Sequence, residues 1–152
     1  MKTIMLAAII SIATSFAFAG EPKVGDYALY DFTANGIQGT TKSELTAFNR
    51  ATNQFTKVTT TSFSGQTQTQ AEEMNADDLS STESLELVLA LCESSNIGGV
   101  LEQISTAAGT FETCRLPAAG GGAVNLGVVP FGFVRVNTAD LTMDLVEYNF
   151  AK

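Results

Sequence analysis

The sequence predicts an α+β domain, mostly β, in which a curled antiparallel sheet of about eight strands surrounds one short buried helix. Three observations predict it. In residues 26–74 and 100–150, apolar or β-branched residues recur in short runs closed by turn residues, as strands with a buried face require. Between those blocks, residues 82–94 switch to a helical period. Hydrophobic residues make up 45% of the 152-residue chain and charged residues 16%, enough for one core and unlike a disordered chain.

The first nineteen residues read as an export leader. Lys2 is the positive end, residues 4–12 are an apolar core broken only by Ser11, and Ala17-Phe18-Ala19 is a small-residue cleavage site. The core is short for a bilayer span, which needs about 20 residues. An uncleaved anchor helix is the competing reading. No Cys follows the cleavage site to accept a lipid, and no Arg pair precedes the core. Cleavage leaves residues 20–152 as a single exported β-rich domain with no second apolar span. A membrane β-barrel is disfavoured because residues 59–61 and 66–70 are too polar for a lipid face.

The elements follow in order. In residues 26–33, Tyr27 and Leu29 share one face and Ala28, Tyr30 and Phe32 the other, so the strand is apolar on both sides. Asn35-Gly36 supplies the positive φ angles of a type I′ turn. A strand over 39–48, a polar turn at 49–53, a Thr-rich strand over 54–63, a Ser64-Gly65 turn and a polar strand over 66–74 complete a meander. Phe55, Val58 and Phe63 anchor its Thr/Gln-rich part. Ser81 or Thr82 caps a helix running to residue 94, with Glu83 beside the positive end of its dipole. Leu85, Val88, Leu89 and Cys92 form one stripe, and Leu87 and Leu91 widen it to most of the circumference, which predicts burial. Residues 96–99 end the helix. Strands follow over 100–106 and 110–116, joined by Ala107-Ala108-Gly109. Residues 123–129 lead through Pro130 into 131–136, with Pro130 at an edge, a strand start or a bulge. A last strand covers 141–150.

Cys92 and Cys114 are the only cysteines. In an exported chain an even pair reads as one structural disulfide, worth about 3 kcal/mol by loop-closure entropy. A redox site would favour C-x-x-C spacing. With no His in the sequence, His-based acid–base catalysis, Ser-His and Cys-His nucleophile pairs and His-containing metal sites are excluded. Acidic residues outnumber basic ones 16 to 8, which argues against nucleic acid as a partner. Glu72-Glu73 and Asp77-Asp78 suggest a divalent cation site less than a solvated connection, since no calcium-loop pattern is present. Gly120-Gly121-Gly122 lacks the Lys-Ser/Thr of a phosphate loop. No nucleophile motif is present, so no catalytic residue, metal or cofactor is assigned. Phe111, Phe131 and Phe133, with Leu89 of the helix, are candidates to line a ligand cavity; plain core packing is the alternative.

Cys92-Glu93, Gly98-Gly99, Ala108-Gly109-Thr110-Phe111, Cys114, Val129-Pro130-Phe131-Gly132 and Leu145-Val146-Glu147-Tyr148 occur in this order. The set resembles small exported bacterial proteins of unassigned role, whose order of elements is similar to the lipoprotein-carrier half-barrels of the periplasm. That resemblance implies a sheet curled around helical structure, with an apolar cavity between them. The expected function is a non-catalytic binding module, periplasmic or secreted, for an apolar small molecule or a lipidated partner. The alternative is an envelope protein that binds another protein through a sheet edge or its Thr/Gln-rich face, or serves a structural role. An enzyme built on a pair of carboxylates ranks third.

Overall fold

A computed structural model describes residues 20–152; the leader expected at residues 1–19 lies outside the described residues. Among the described residues nine antiparallel strands form one sheet: β1 (Tyr27–Ala34), β2 (Ile37–Asn49), β3 (Gln54–Phe63), β4 (Gln66–Asn75), β5 (Val100–Thr106), β6 (Gly109–Pro117), β7 (Ala123–Leu126), β8 (Phe133–Asn137) and β9 (Leu141–Asn149). Their spatial order is β4-β3-β2-β1-β9-β8-β7-β6-β5. The chain therefore starts in the middle of the sheet and builds outward to β4. It crosses to the opposite edge at β5 and builds back until β9 pairs with β1. The crossing carries a short 3₁₀ turn (Ala76–Asp78) and one helix, α1 (Thr82–Ala90). The sheet is open, with β4 and β5 as its edges. It rolls far enough for β5 to touch β9, and the Arg135 guanidinium of β8 donates to the Ser105 carbonyl of β5 at 3.3 Å.

Turn chemistry fixes the register. Asn35 and Gly36 have φ of 50° and 80°, and Ser64 and Gly65 have 48° and 75°, the double positive φ of type I′ hairpins. The strand expected across residues 123–136 is instead two strands, which raises the total from about eight to nine. Phe131 and Gly132 reverse the chain with φ of 65° and 79°. The Gly127 N–H donates to the Gly132 carbonyl and the Gly132 N–H to the Val129 carbonyl, both at 2.9 Å. Pro130 thus sits in a turn between strands.

The apolar residues gather in two clusters. One holds Ala28, Tyr30, Val129, Val134 and Leu145, with Ile104, Phe111, Phe131 and Met143 against them. The other holds Val88, Cys92 and Cys114, with Leu89, Ile97, Leu116 and Leu126. Strand β6 serves both. Thr113 and Cys114 are each 0% exposed, and adjacent strand residues point to opposite faces, so β6 is covered on both sides.

Helix α1 starts as expected, with the Ser84 N–H donating to the Ser81 hydroxyl. It ends at Ala90, short of residue 94, because successive turns take over and Gly98 turns back with φ of 66°. It buries Leu85 and Val88, whereas Leu91 just beyond it is 41% exposed. The helix is therefore laid against the sheet along one face rather than enclosed.

Cys92 and Cys114 are paired as a disulfide, with Cα atoms 5.5 Å apart. It ties the chain just after α1 to β6. This is compatible with an oxidising, extracytoplasmic location. Among the described residues no helix is long and apolar enough to cross a membrane.

Candidate functional site

A shallow pocket opens where residues 20–26 meet the C-terminal tail. It is lined by Gly20, Pro22 and Asp26 of the lead-in, Leu45 of β2, Leu79 and Ser80 before α1, Pro130 and Phe131 of the β7–β8 turn, and Phe150 after β9. Its cavity volume is about 10 Å³, room for about one water molecule and far below that of a small-molecule site.

Backbone bonds hold these segments together. Leu45 accepts from the Gly25 N–H at 2.7 Å and donates to the Asp26 carbonyl at 3.0 Å. The Thr82 N–H, left free at the start of α1, donates to the Gly20 carbonyl at 2.8 Å. Asp26 is 5% exposed. Its carboxylate accepts the Lys23 N–H at 2.9 Å and the Ala151 N–H at 2.8 Å, so it clamps the lead-in to the C-terminal tail. Around this polar clamp the walls are apolar. Phe131 sits among them in a left-handed conformation that a bulky residue rarely adopts. Such a conformation costs about 1–3 kcal/mol and persists only where surrounding structure imposes it. Its ring lies 6.0 Å from the Lys57 ammonium, which also pairs with Glu72 at 2.5 Å.

The four residues expected around a cavity do not meet in one place. Phe111 and Phe131 share the first cluster, where Phe111 meets Tyr148 edge-on at 5.8 Å. Leu89 packs in the second cluster beside the disulfide. Phe133 is 39% exposed, and its carbonyl accepts the Tyr30 hydroxyl at 3.0 Å. Of the four, Phe131 alone lines the pocket. Sequence reading missed Pro22, Leu45, Leu79, Pro130 and Phe150, which come from separate segments with no shared spacing. It also missed a polar knot beneath the β5 edge. Asn125, 4% exposed, donates to Glu102 at 2.9 Å and to the Thr113 hydroxyl at 3.0 Å, and Arg115 reaches the same Glu102 oxygen at 3.3 Å. A buried amide satisfied this way fixes the register of neighbouring strands.

The acidic residues are dispersed among neighbours: Glu72 pairs with Lys57, Glu73 accepts from Thr56 at 2.8 Å, and Asp78 from Asn75 at 3.4 Å. Among the described residues no three potential metal ligands gather.

No family model, curated protein or solved structure matches this chain.

The chemistry available at the pocket is thus contact with an apolar group, with Ser80 and the clamped Asp26 as the polar elements. Two tyrosines stand apart from it with altered acidity. Burial pushes the Tyr30 hydroxyl well above its ordinary range. The exposed Tyr27 is raised by its hydrogen bond to Glu147.

Proposed function

We propose that residues 20–152 form a non-catalytic binding module, acting in the periplasm or outside the cell, that holds the apolar tip of a small molecule or of a lipidated partner. The observation that carries this reading is Phe131, kept in a strained conformation at the wall of an apolar pocket whose other walls are Leu45, Leu79, Pro130 and Phe150. Strain of this kind concentrates at ligand-holding sites. With a cavity volume of about 10 Å³, the walls would have to part to admit even the end of an acyl chain. The resemblance to lipoprotein-carrier half-barrels agrees with an acylated ligand, and the open, rolled sheet supports that reading.

Titration with dodecanoate, followed by methyl NMR, tests it. Shifts confined to Leu45, Leu79 and their neighbours, lost in Leu79→Glu, are expected. Unchanged spectra at millimolar dodecanoate sink the reading.

A second reading, an interaction module that works through a sheet edge, is favoured by β4. It is an edge strand exposed at every position except Met74.

A further inference from the structure

The two edges of the sheet differ. In a two-residue hairpin the residues flanking the turn exchange both backbone bonds, and hydrogen-bonded pairs then recur at every second position. The β5–β6 turn joins Thr106 to Gly109, so Ser105 turns its backbone groups outward from β5. Its carbonyl is taken by Arg135, and the roll of the sheet brings β5 against β9. The β3–β4 turn joins Phe63 to Gln66, and the register runs unbroken to Gln54 and Asn75. By the same rule Gln66, Gln68, Gln70 and Glu72 bond to β3, while Thr67, Thr69, Ala71 and Glu73 turn their N–H and C=O groups outward. Among the described residues no backbone group of Thr67, Thr69, Ala71 or Glu73 has a partner on that side.

Edge strands ordinarily carry a guard against pairing: a proline, an inward-pointing charge, a lysine or a bulge. Residues 66–71 read Gln-Thr-Gln-Thr-Gln-Ala and carry none of these. The strand is extended, regular and polar on both faces, and its two charges, Glu72 and Glu73, lie beyond that stretch and are exposed.

We propose that the occupant is a second copy of this chain, paired antiparallel along β4 about a two-fold axis near Gln70. This rests on the sheet-edge reading above and is independent of the pocket. The alternation of outward residues sets the register. With Gln70 opposite its own copy, Thr69 bonds to Ala71 of the second copy and Thr67 to its Glu73, which completes about eight backbone hydrogen bonds. Charge selects the same arrangement. Parallel pairing would stack Glu72 on Glu72 and Glu73 on Glu73, which is destabilising. The antiparallel register places Glu72 opposite Gln68, and the two Glu72 residues lie about 13 Å apart along the strands, beyond the screening length of about 8 Å at physiological salt. Glu72 and Glu73 are meanwhile engaged by Lys57 and Thr56 within their own sheet. The hydroxyl contacts Ser62–Thr67 (3.0 Å) and Thr60–Thr69 (3.5 Å) lie in cross-strand rows that the partner would extend with its Glu73 and Ala71.

Each chain is strongly acidic, with a formal net charge of −8, so the copies repel at long range and salt screens that repulsion. Association through this edge therefore strengthens with ionic strength, the reverse of an interface held by ion pairs. Sedimentation equilibrium between 20 and 500 mM NaCl, with amide hydrogen exchange at low and high protein concentration, tests it. A monomer–dimer equilibrium that tightens with salt is expected, with concentration-dependent protection of Thr67, Thr69, Ala71 and Glu73. Thr69→Pro removes an outward N–H and leaves the β3 ladder intact; it should weaken the dimer about tenfold or more. Ala71→Pro does the same at a second position, and the wild-type exchange pattern decides the matter without any variant. A dimer indifferent to both prolines, or without protection at these amides, overturns the proposal. So does a monomer at every salt and concentration. Protection that appears only when a different envelope protein is added overturns self-pairing and keeps the edge reading. No protection under either condition overturns both.

Discussion

Single side chains decide how tightly this domain closes. Tyr30 sits 4% exposed, with its hydroxyl on the Phe133 carbonyl, and so joins β1 to the start of β8 across β9. Tyr30→Phe removes that donor and should cost about 1 kcal/mol, read from urea unfolding. Burial also favours the neutral phenol over the phenolate. Its native pKa is raised above the ordinary 10.0, so the stabilisation is complete below pH 10 and is lost as pH rises beyond it. Wild-type stability should fall above pH 10, with a shallower fall in Tyr30→Phe; parallel profiles would show that another group governs the alkaline limb. Gly99 is the other decisive residue. A Cβ there would stand 2.5 Å from the Cys114 sulfur and 2.8 Å from that of Cys92. Gly99→Ala should destabilise the oxidised protein by about 1–3 kcal/mol through overpacking, and far less once the disulfide is reduced.

At the scale of elements, α1 is short and depends on its surroundings. Its Ser81 cap bonds the Ser84 N–H, and its first free N–H is taken by the Gly20 carbonyl. Ser81→Ala should cost about 1 kcal/mol, measured by thermal unfolding. The disulfide fastens the end of this crossing to β6 with a sequence separation of 22. Reducing it should lower stability by about 3 kcal/mol through the loop it releases. The loss should be reported by residues of the second cluster, which surrounds it, before those of the first.

Across the whole molecule, β1–β9 pairing is the seam. The N-terminal half ends its build at β4 and the C-terminal half at β9, and the halves join in the sheet where β9 lies between β1 and β8. Leu145 of β9 is 0% exposed beside Tyr30. Leu145→Ala should cost about 2–5 kcal/mol. Deleting residues 141–152 should abolish cooperative unfolding altogether, because it also removes the Ala151 N–H that binds Asp26. A truncated chain that still melts in one sharp transition would show that the halves fold separately. Pairing residues so far apart in sequence also predicts folding on the millisecond-to-second scale.

The sequence by itself determined what depends on neighbours along the chain. Asn35-Gly36 and Ser64-Gly65 dictate their turns because positive φ is a local demand, and Thr-rich alternation dictates the first meander because β-branched residues favour extended backbone. The lone cysteine pair left one intramolecular partner for each sulfur. Where backbone reversal came from Phe131, a residue that rarely adopts positive φ, local reading ran a strand through the turn and counted too few strands. The helix was read four residues too long and too deeply buried, because apolar period reports amphipathicity and says nothing of the exposed side left at Leu91. Only the tertiary structure decided that Phe111 and Leu89 belong to different clusters, since a doubly covered strand such as β6 sends alternate residues into separate cores. It alone assembled a pocket from the lead-in, β2, the β7–β8 turn and the tail, and left β4 as an open edge. Contacts between segments so distant in sequence carry no period or spacing; they exist only once the sheet order places β9 beside β1.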